Sequence, residues 1–304
     1  MPYVNTQDEH QLYYEHHGNL DGPTILFLHG GPGLGTTQND LGYFDLTIVN
    51  VILWDQRGAG KSQPAGSLEN NTSQSLVADI DLLLEQLRID KVILFGGSWG
   101  STLALLFAIA HPDRVLGLVL RGLFTASKQE RHFFEEGETA LFYPKAAARY
   151  LKHVPTNHAG SMSSYYFEQI LEGLPEAQEK LSYELMYYGI SVSRKAPYTP
   201  SEIESRLAGA NQRHYARILA HFSVNDFFVP DEYIINQLFS LSHIPIHLVQ
   251  GRYDMITTPQ LAIRLAEKHE NIELRLVDGG HSPHESTVKT ALQEEMANLL
   301  ARLS

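Results

Sequence analysis

The chain has no cysteine at all. Disulfides, thiolate metal sites and a cysteine nucleophile are therefore excluded. Basic residues are in deficit: 23 Lys and Arg stand against 35 Asp and Glu, a formal charge of −12. Non-specific nucleic-acid binding depends on Lys and Arg neutralising phosphates, so this balance argues against a nucleic-acid partner. No apolar run reaches the ~18 residues a membrane helix needs, so no membrane partner is expected either. The opening segment, MPYVNTQDEHQLYYEHH, lacks the basic start and apolar centre of a secretory signal. With 43% of its 304 residues hydrophobic and 19% charged, the chain can bury a large core, which rules out disorder as its overall state. The expectation is a soluble, cytoplasmic globular protein.

Short runs rich in Val, Ile and Leu recur at Thr24–Leu28, Ile48–Leu53, Val92–Phe95, Val115–Leu120, Ile246–Val249 and Leu274–Val277. Each is too short for an ordinary helix and is bounded by Gly, Pro, Asp or His, the pattern of strands covered on both faces. Between the third and fourth runs lies a helix-like stretch, Trp99–Ala110, which His111-Pro112 stops. Strand, helix and strand in about 30 residues make a βαβ unit, so the central sheet is mostly parallel. Tyr3–Thr6 and Leu12–His16 read as a leading hairpin turned around Gln7–His10.

This rhythm stops after Gly122, and from Leu123 to about Leu241 the spacing is helical. The expected organisation is a core in two parts, residues 1–122 and 242–304, with a helical cap at 123–241 inserted between core strands. That segment holds 19 of the chain's 30 aromatic residues. Such a concentration either fills the insertion's own small core or lines a pocket above the sheet.

The most informative stretch is Gly96-Gly97-Ser98-Trp99-Gly100, a G-x-S-x-G between a strand and a helix. A tight turn there lifts a serine hydroxyl above the sheet, and the helix start points backbone N–H groups at any oxyanion beside it. A serine needs a base, and of 15 histidines His281 stands out, in a loop after Leu274–Val277 and Gly279-Gly280. The orienting acid should precede it, and Asp254 follows Ile246–Gln250. The order Ser98, Asp254, His281, each at a strand end, matches the α/β-hydrolase arrangement. His29-Gly30-Gly31-Pro32-Gly33 follows an early strand, where a second oxyanion donor is required, so Gly31 and Trp99 are the expected N–H pair.

Other patterns fail. Gly58-Ala59-Gly60-Lys61-Ser62 ends like a phosphate-binding loop, but Asp55 stands where the first glycine is needed. His281 and His284 find no third ligand. Neither a metal nor a nucleotide cofactor is expected.

The sequence resembles the prolyl iminopeptidase family of α/β-hydrolases. The resemblance rests on His29–Gly33, on Trp54-Asp55-Gln56-Arg57-Gly58-Ala59-Gly60-Lys61-Ser62, and on GGSWGSTLAL from Gly96 to Leu105. It extends through His111–Val115, Leu120-Arg121-Gly122, Gly251–Asp254 and Gly280-His281-Ser282. It implies release of N-terminal proline, or another small residue, from peptides through an acyl-enzyme on Ser98, with Asp254 and His281 completing the triad and no cofactor; the expected partner is a small peptide or a small-molecule acyl substrate. The cap departs from the family pattern. Leu219 stands where members carry a glutamate for the substrate's free amine, and Tyr188 aligns with a second such glutamate. Asp226 and Glu184 are the nearest replacement carboxylates. With Gly30, these four are the candidate substrate contacts. The rival readings are a serine esterase or amidase for uncharged acyl groups, which Leu219 suits, and a non-catalytic binding module.

Overall fold

The computed structural model describes residues 2–135, 137–209 and 211–303. The chain opens with β1 (Tyr3–Asn5), β2 (Gln11–Gly18), β3 (Thr24–Leu28) and β4 (Asn50–Trp54). Next come α1 (Ser73–Gln86), β5 (Val92–Ser98), α2 (Trp99–Ala110) and β6 (Val115–Leu123). A helical stretch follows: α3 (Lys128–Glu135), α4 (Pro144–Leu151), α5 (Met162–Glu172), α6 (Pro175–Val192), α7 (Pro200–Leu207), α8 (Gln212–Val224) and α9 (Tyr233–Gln237). The chain closes with β7 (Ile246–Gly251), α10 (Pro259–Lys268), β8 (Ile272–Val277) and α11 (Ser286–Leu303).

The strands form one sheet in the order β1-β2-β4-β3-β5-β6-β7-β8. The β1–β2 hairpin pairs Tyr3 with Tyr13 and Val4 with Leu12, and β2 runs antiparallel to β4. Every later pairing is parallel. This is an α/β-hydrolase fold with a mostly parallel sheet.

Two-residue periodicity sorts the strand side chains between two cores. Leu26, Leu28, Ile52, Trp54 and Leu94 pack with α1, α2 and α10 on one face. Ile25, Phe27, Val51, Leu53, Ile93 and Phe95 pack with α11 on the other. With both faces covered, the strands read as unbroken apolar runs. The strand expected over Ile48–Leu53 starts two residues later, for a local reason. Asp45 accepts the Thr47 N–H at 3.0 Å and its hydroxyl at 2.6 Å, and the Ile48 N–H reaches Asp45 O at 3.1 Å. This side-chain-capped turn leaves Ile48 half exposed before pairing begins. In the other direction, β5 runs three residues beyond Phe95 and ends on Ser98 itself.

Between β6 and β7 the described residues include no strand. Sequence-local signals set several helix starts there, such as Ser161 accepting the Ser164 N–H and Thr199 forming a capping box with Glu202. Tyr150 stacks on Tyr166 with centroids 3.8 Å apart and on Tyr188 at 4.6 Å, inside an apolar cluster of α4, α5, α6 and α8. Other aromatics, among them Phe124, Phe134, Phe167, Tyr215 and Phe227, line a cavity beside the strand ends. The aromatic concentration therefore serves both purposes.

Candidate active site

The junction of β5 and α2 is a sharp turn with Ser98 at φ 56° and ψ −127°, outside the regions a non-glycine residue ordinarily occupies. Its flanks must be glycine because backbone passes too close for a side chain. A Cβ on Gly96 would collide with the carbonyl of Gly100, and one on Gly100 with the carbonyl of Leu28. The turn is held from inside by Ser101, whose hydroxyl donates to Ser98 O at 2.7 Å and accepts the Phe124 N–H at 3.1 Å.

Asp254 lies three residues beyond the end of β7, and His281 four beyond β8. The two meet at 2.8 Å, His281 Nδ1 to Asp254 Oδ2. Asp254 is 1% exposed and fully supplied with donors. Oδ1 accepts N–H groups of Ile256 and Thr257 at 3.0 and 2.9 Å, and Oδ2 accepts the Thr257 hydroxyl at 3.0 Å and Gln250 Nε2 at 3.2 Å. Burial opposes its ionisation, but the field and hydrogen bond of His281 and the two backbone donors outweigh it and hold the carboxyl below its usual range. With Nδ1 engaged, Nε2 is the imidazole nitrogen left for the cavity.

That cavity, of about 480 Å³, is walled by Ser98, His281, Gly30 and Gly31 together with apolar side chains of the helical stretch, Leu219 among them. Its volume falls within the usual range for small-molecule sites. Gly31, at φ 118°, and Gly30 belong to the loop after β3, and a Cβ on Gly30 would sit only 3.6 Å from Ser98 Cβ. Trp99 opens α2 directly after Ser98.

A buried network fixes this loop against α2. Trp99 Nε1 donates to Gln56 Oε1 at 2.8 Å, and Gln56 Nε2 donates to His29 O at 2.9 Å. His29 Nε2 accepts the Gln56 N–H at 3.1 Å, while its Nδ1 donates to Gly30 O at 2.9 Å. Only a neutral, Nδ1-protonated ring makes both bonds, in keeping with the burial that pushes its pKa down. Asp55 accepts from Thr36 and from the Lys61 N–H, and Arg57 forms a buried bidentate pair with Asp79. The segment from Trp54 to Ser62 is thus scaffolding. Nothing in the sequence assigns Gln56, Gln250 or Thr257 a role: the partners of Gln56 lie tens of residues away, and no motif marks a glutamine or threonine beside Asp254 as its hydrogen-bond donor.

Three candidate substrate contacts are not brought to the cavity wall. Asp226 is exposed and paired with Arg131 at 2.6 Å. Glu184 is held by Arg149 in two bonds of 2.7 and 2.9 Å. Tyr188 is buried in the aromatic stack. In each case a partner from another helix captures the side chain. The wall instead contains the carboxylates Asp40, Glu130 and Glu135. Glu130 is absorbed by the hydroxyls and N–H groups of Thr125 and Ser127, and burial pushes its pKa up against them. Among the described residues no cluster of three His, Asp or Glu could hold a metal, and no helix is long and apolar enough to cross a membrane.

The chain matches the family model described as alpha/beta hydrolase fold over residues 23–287. Solved structures share the fold at low identity. An esterase from Exiguobacterium antarcticum has a TM-score of 0.68 at 16% identity, covering 98% of both chains. A thermophilic esterase from Thermogutta terrifontis has a TM-score of 0.67 at 20% identity, covering 99% of this chain and 97% of that one. Curated relatives are nearer. The proline iminopeptidase of Neisseria gonorrhoeae is 35% identical, across 99% of this chain and 96% of its own. That of Arabidopsis thaliana is 36% identical, across 95% of this chain and 77% of its own. At that identity over nearly the whole length, the chain belongs to the proline iminopeptidase family of α/β-hydrolases.

Proposed function

We propose that the protein is a serine aminopeptidase that releases N-terminal proline from small peptides. The observation that carries this reading is the 2.8 Å Asp254–His281 bond at the edge of a cavity that also contains the strained turn of Ser98. Proline iminopeptidase as the name of several relatives supplies the substrate.

In this mechanism Ser98 Oγ attacks the prolyl carbonyl carbon as His281 Nε2 takes its proton. Asp254 holds the ring in the Nδ1–H tautomer and stabilises the imidazolium. The carbonyl oxygen becomes an oxyanion facing the N–H groups of Trp99 and Gly31, each such donor being worth roughly 3 kcal/mol. Collapse of the tetrahedral adduct breaks the C–N bond, and the leaving amine takes its proton from His281. Water, activated by the same imidazole, then frees proline from Ser98.

One observation favours a second reading, a serine esterase or amidase for uncharged acyl groups. Leu219 puts an apolar side chain in the cavity wall where the family pattern has a glutamate, and neither Asp226 nor Glu184 replaces it there. Proline β-naphthylamide and its N-acetylated counterpart separate the two. The aminopeptidase cleaves the free amine preferentially, and equal or faster cleavage of the blocked substrate establishes the second reading. Labelling by a fluorophosphonate, lost in Ser98→Ala, checks the nucleophile under either.

A further inference from the structure

Arg121 sits on β6, directly opposite Gly97 of the neighbouring strand, one residue before the proposed nucleophile. Its guanidinium lies against the Gly97 backbone so closely that any Cβ there would strike it. Nη1 donates to the carbonyl of His281 at 2.5 Å. Among the described residues that is its one hydrogen bond, and none of their carboxylates lies within ion-pair distance. Asp254 contributes to its field but is committed to His281, Thr257, Ile256 and Gln250. Arg121 is also one of the residues that line the cavity of Ser98 and His281.

A guanidinium is always charged and has five N–H donors, and the bond to His281 uses only one of them. A planar set of such donors in a cavity wall matches a carboxylate. The wall divides by chemistry. The helical stretch supplies Leu219, Leu185, Phe167 and Phe134, suited to the acyl side chain, whereas Arg121 projects from the core between Gly97 and the loop of His281. Asp40, the carboxylate on that side, is already held by the Thr37 N–H at 2.7 Å and hydroxyl at 3.0 Å.

We propose that Arg121 is the binding site for a carboxylate on the leaving group, the C-terminal carboxylate of a dipeptide whose second residue departs as the amine. The inference rests on the aminopeptidase reading above and extends it: the natural substrates are prolyl dipeptides with a free C-terminus.

The experiment compares kcat/KM for Pro-Gly, Pro-glycinamide and proline β-naphthylamide on the wild type, Arg121→Gln and Arg121→Lys. Charge-assisted hydrogen bonds of this kind predict a wild-type preference for Pro-Gly over its amide of about tenfold or more. Arg121→Gln should bring that ratio to about one, and Arg121→Lys should keep part of it. Using the ratio removes any general loss from the bond to His281. Fluorophosphonate labelling reports which variants retain a folded site, and Arg121→Lys carries the comparison if Arg121→Gln does not. No wild-type preference for the free carboxylate, or equal loss on both dipeptide substrates, overturns the carboxylate site while proline β-naphthylamide turnover leaves the parent reading standing. A wild type inert towards all three prolyl substrates overturns both.

Discussion

Trp99 and Gln56 are joined by a 2.8 Å hydrogen bond from the indole N–H to the side-chain oxygen, buried between α2 and the loop after β4. Because Gln56 also grips both the carbonyl and the ring of His29, it sets the spacing between the loop of Gly31 and the start of α2. Gln56→Leu keeps similar bulk but strands the indole N–H and the His29 carbonyl in a dry interior. The expected stability loss is about 1–3 kcal/mol, seen as a lower urea midpoint. Activity should fall through kcat, since oxyanion donors act on the transition state more than on bound substrate. A variant with unchanged kcat and midpoint would deny Gln56 this positioning role.

Ser98→Ala should lower kcat/KM by roughly 10⁴-fold or more while the fold persists, because it deletes a hydroxyl from a turn and opens no core cavity. Asp254→Asn should approach the same loss, since an amide favours the wrong imidazole tautomer. Combined, the two should cost little more than Ser98→Ala alone, as expected for groups acting as a unit. Turnover of purified variants, with circular dichroism as the fold control, checks all three. An excess of chelator should leave the wild type active.

How far the sequence could be read depends on how local each cause is. The span of α2 was legible to the residue, because the turn before it and His111-Pro112 after it are local signals. The strand ends near Ser98, Asp254 and His281 were legible from apolar runs and the glycines and acids bounding them. Ile48 misled because Asp45 closes a turn that hydropathy does not register. Asp226 and Glu184 misled for a different reason: each meets an arginine from another helix, Arg131 and Arg149, and such pairings exist only once the helices pack. Gln250 looks like the polar end of a strand, yet it accepts the Leu123 N–H from the end of β6, a contact that exists only once the sheet forms.

The Asp8–Arg57 pair predicts part of the acid response. Burial opposes ionisation of Asp8, but hydrogen bonds from Arg57 and Thr6 prevail and bring its pKa from the ordinary 3.8 to about 2. A depressed folded-state value stabilises the fold above the unfolded value, and that contribution fades as pH falls towards 2. Asp8→Asn removes the group, so its urea midpoint should lie below the wild type's at neutral pH and converge with it in acid. The check is a series of urea melts from about pH 6 down to 2. A constant gap throughout would mean the pair's contribution is not electrostatic.

Leu219→Glu tests whether the cavity binds a charged amine at that point of α8. Leu219 is partly buried and packs against both the sheet-side core and the aromatic cluster, so a carboxylate there enters mainly apolar surroundings. Without a partner it should destabilise the free protein by about 1–3 kcal/mol. A bound prolyl ammonium supplies that partner, so the substitution should lower KM for proline β-naphthylamide and worsen the N-acetylated substrate. The ratio of the two kcat/KM values should move towards the free amine by about tenfold or more, the scale of a charge-assisted bond. Adding proline should also recover part of the lost thermal stability in the variant but much less in the wild type, since a ligand stabilises only the state it binds. If the ratio stays fixed in a folded variant, the substrate's amino group lies elsewhere in the cavity, and Glu135 becomes the next carboxylate to substitute.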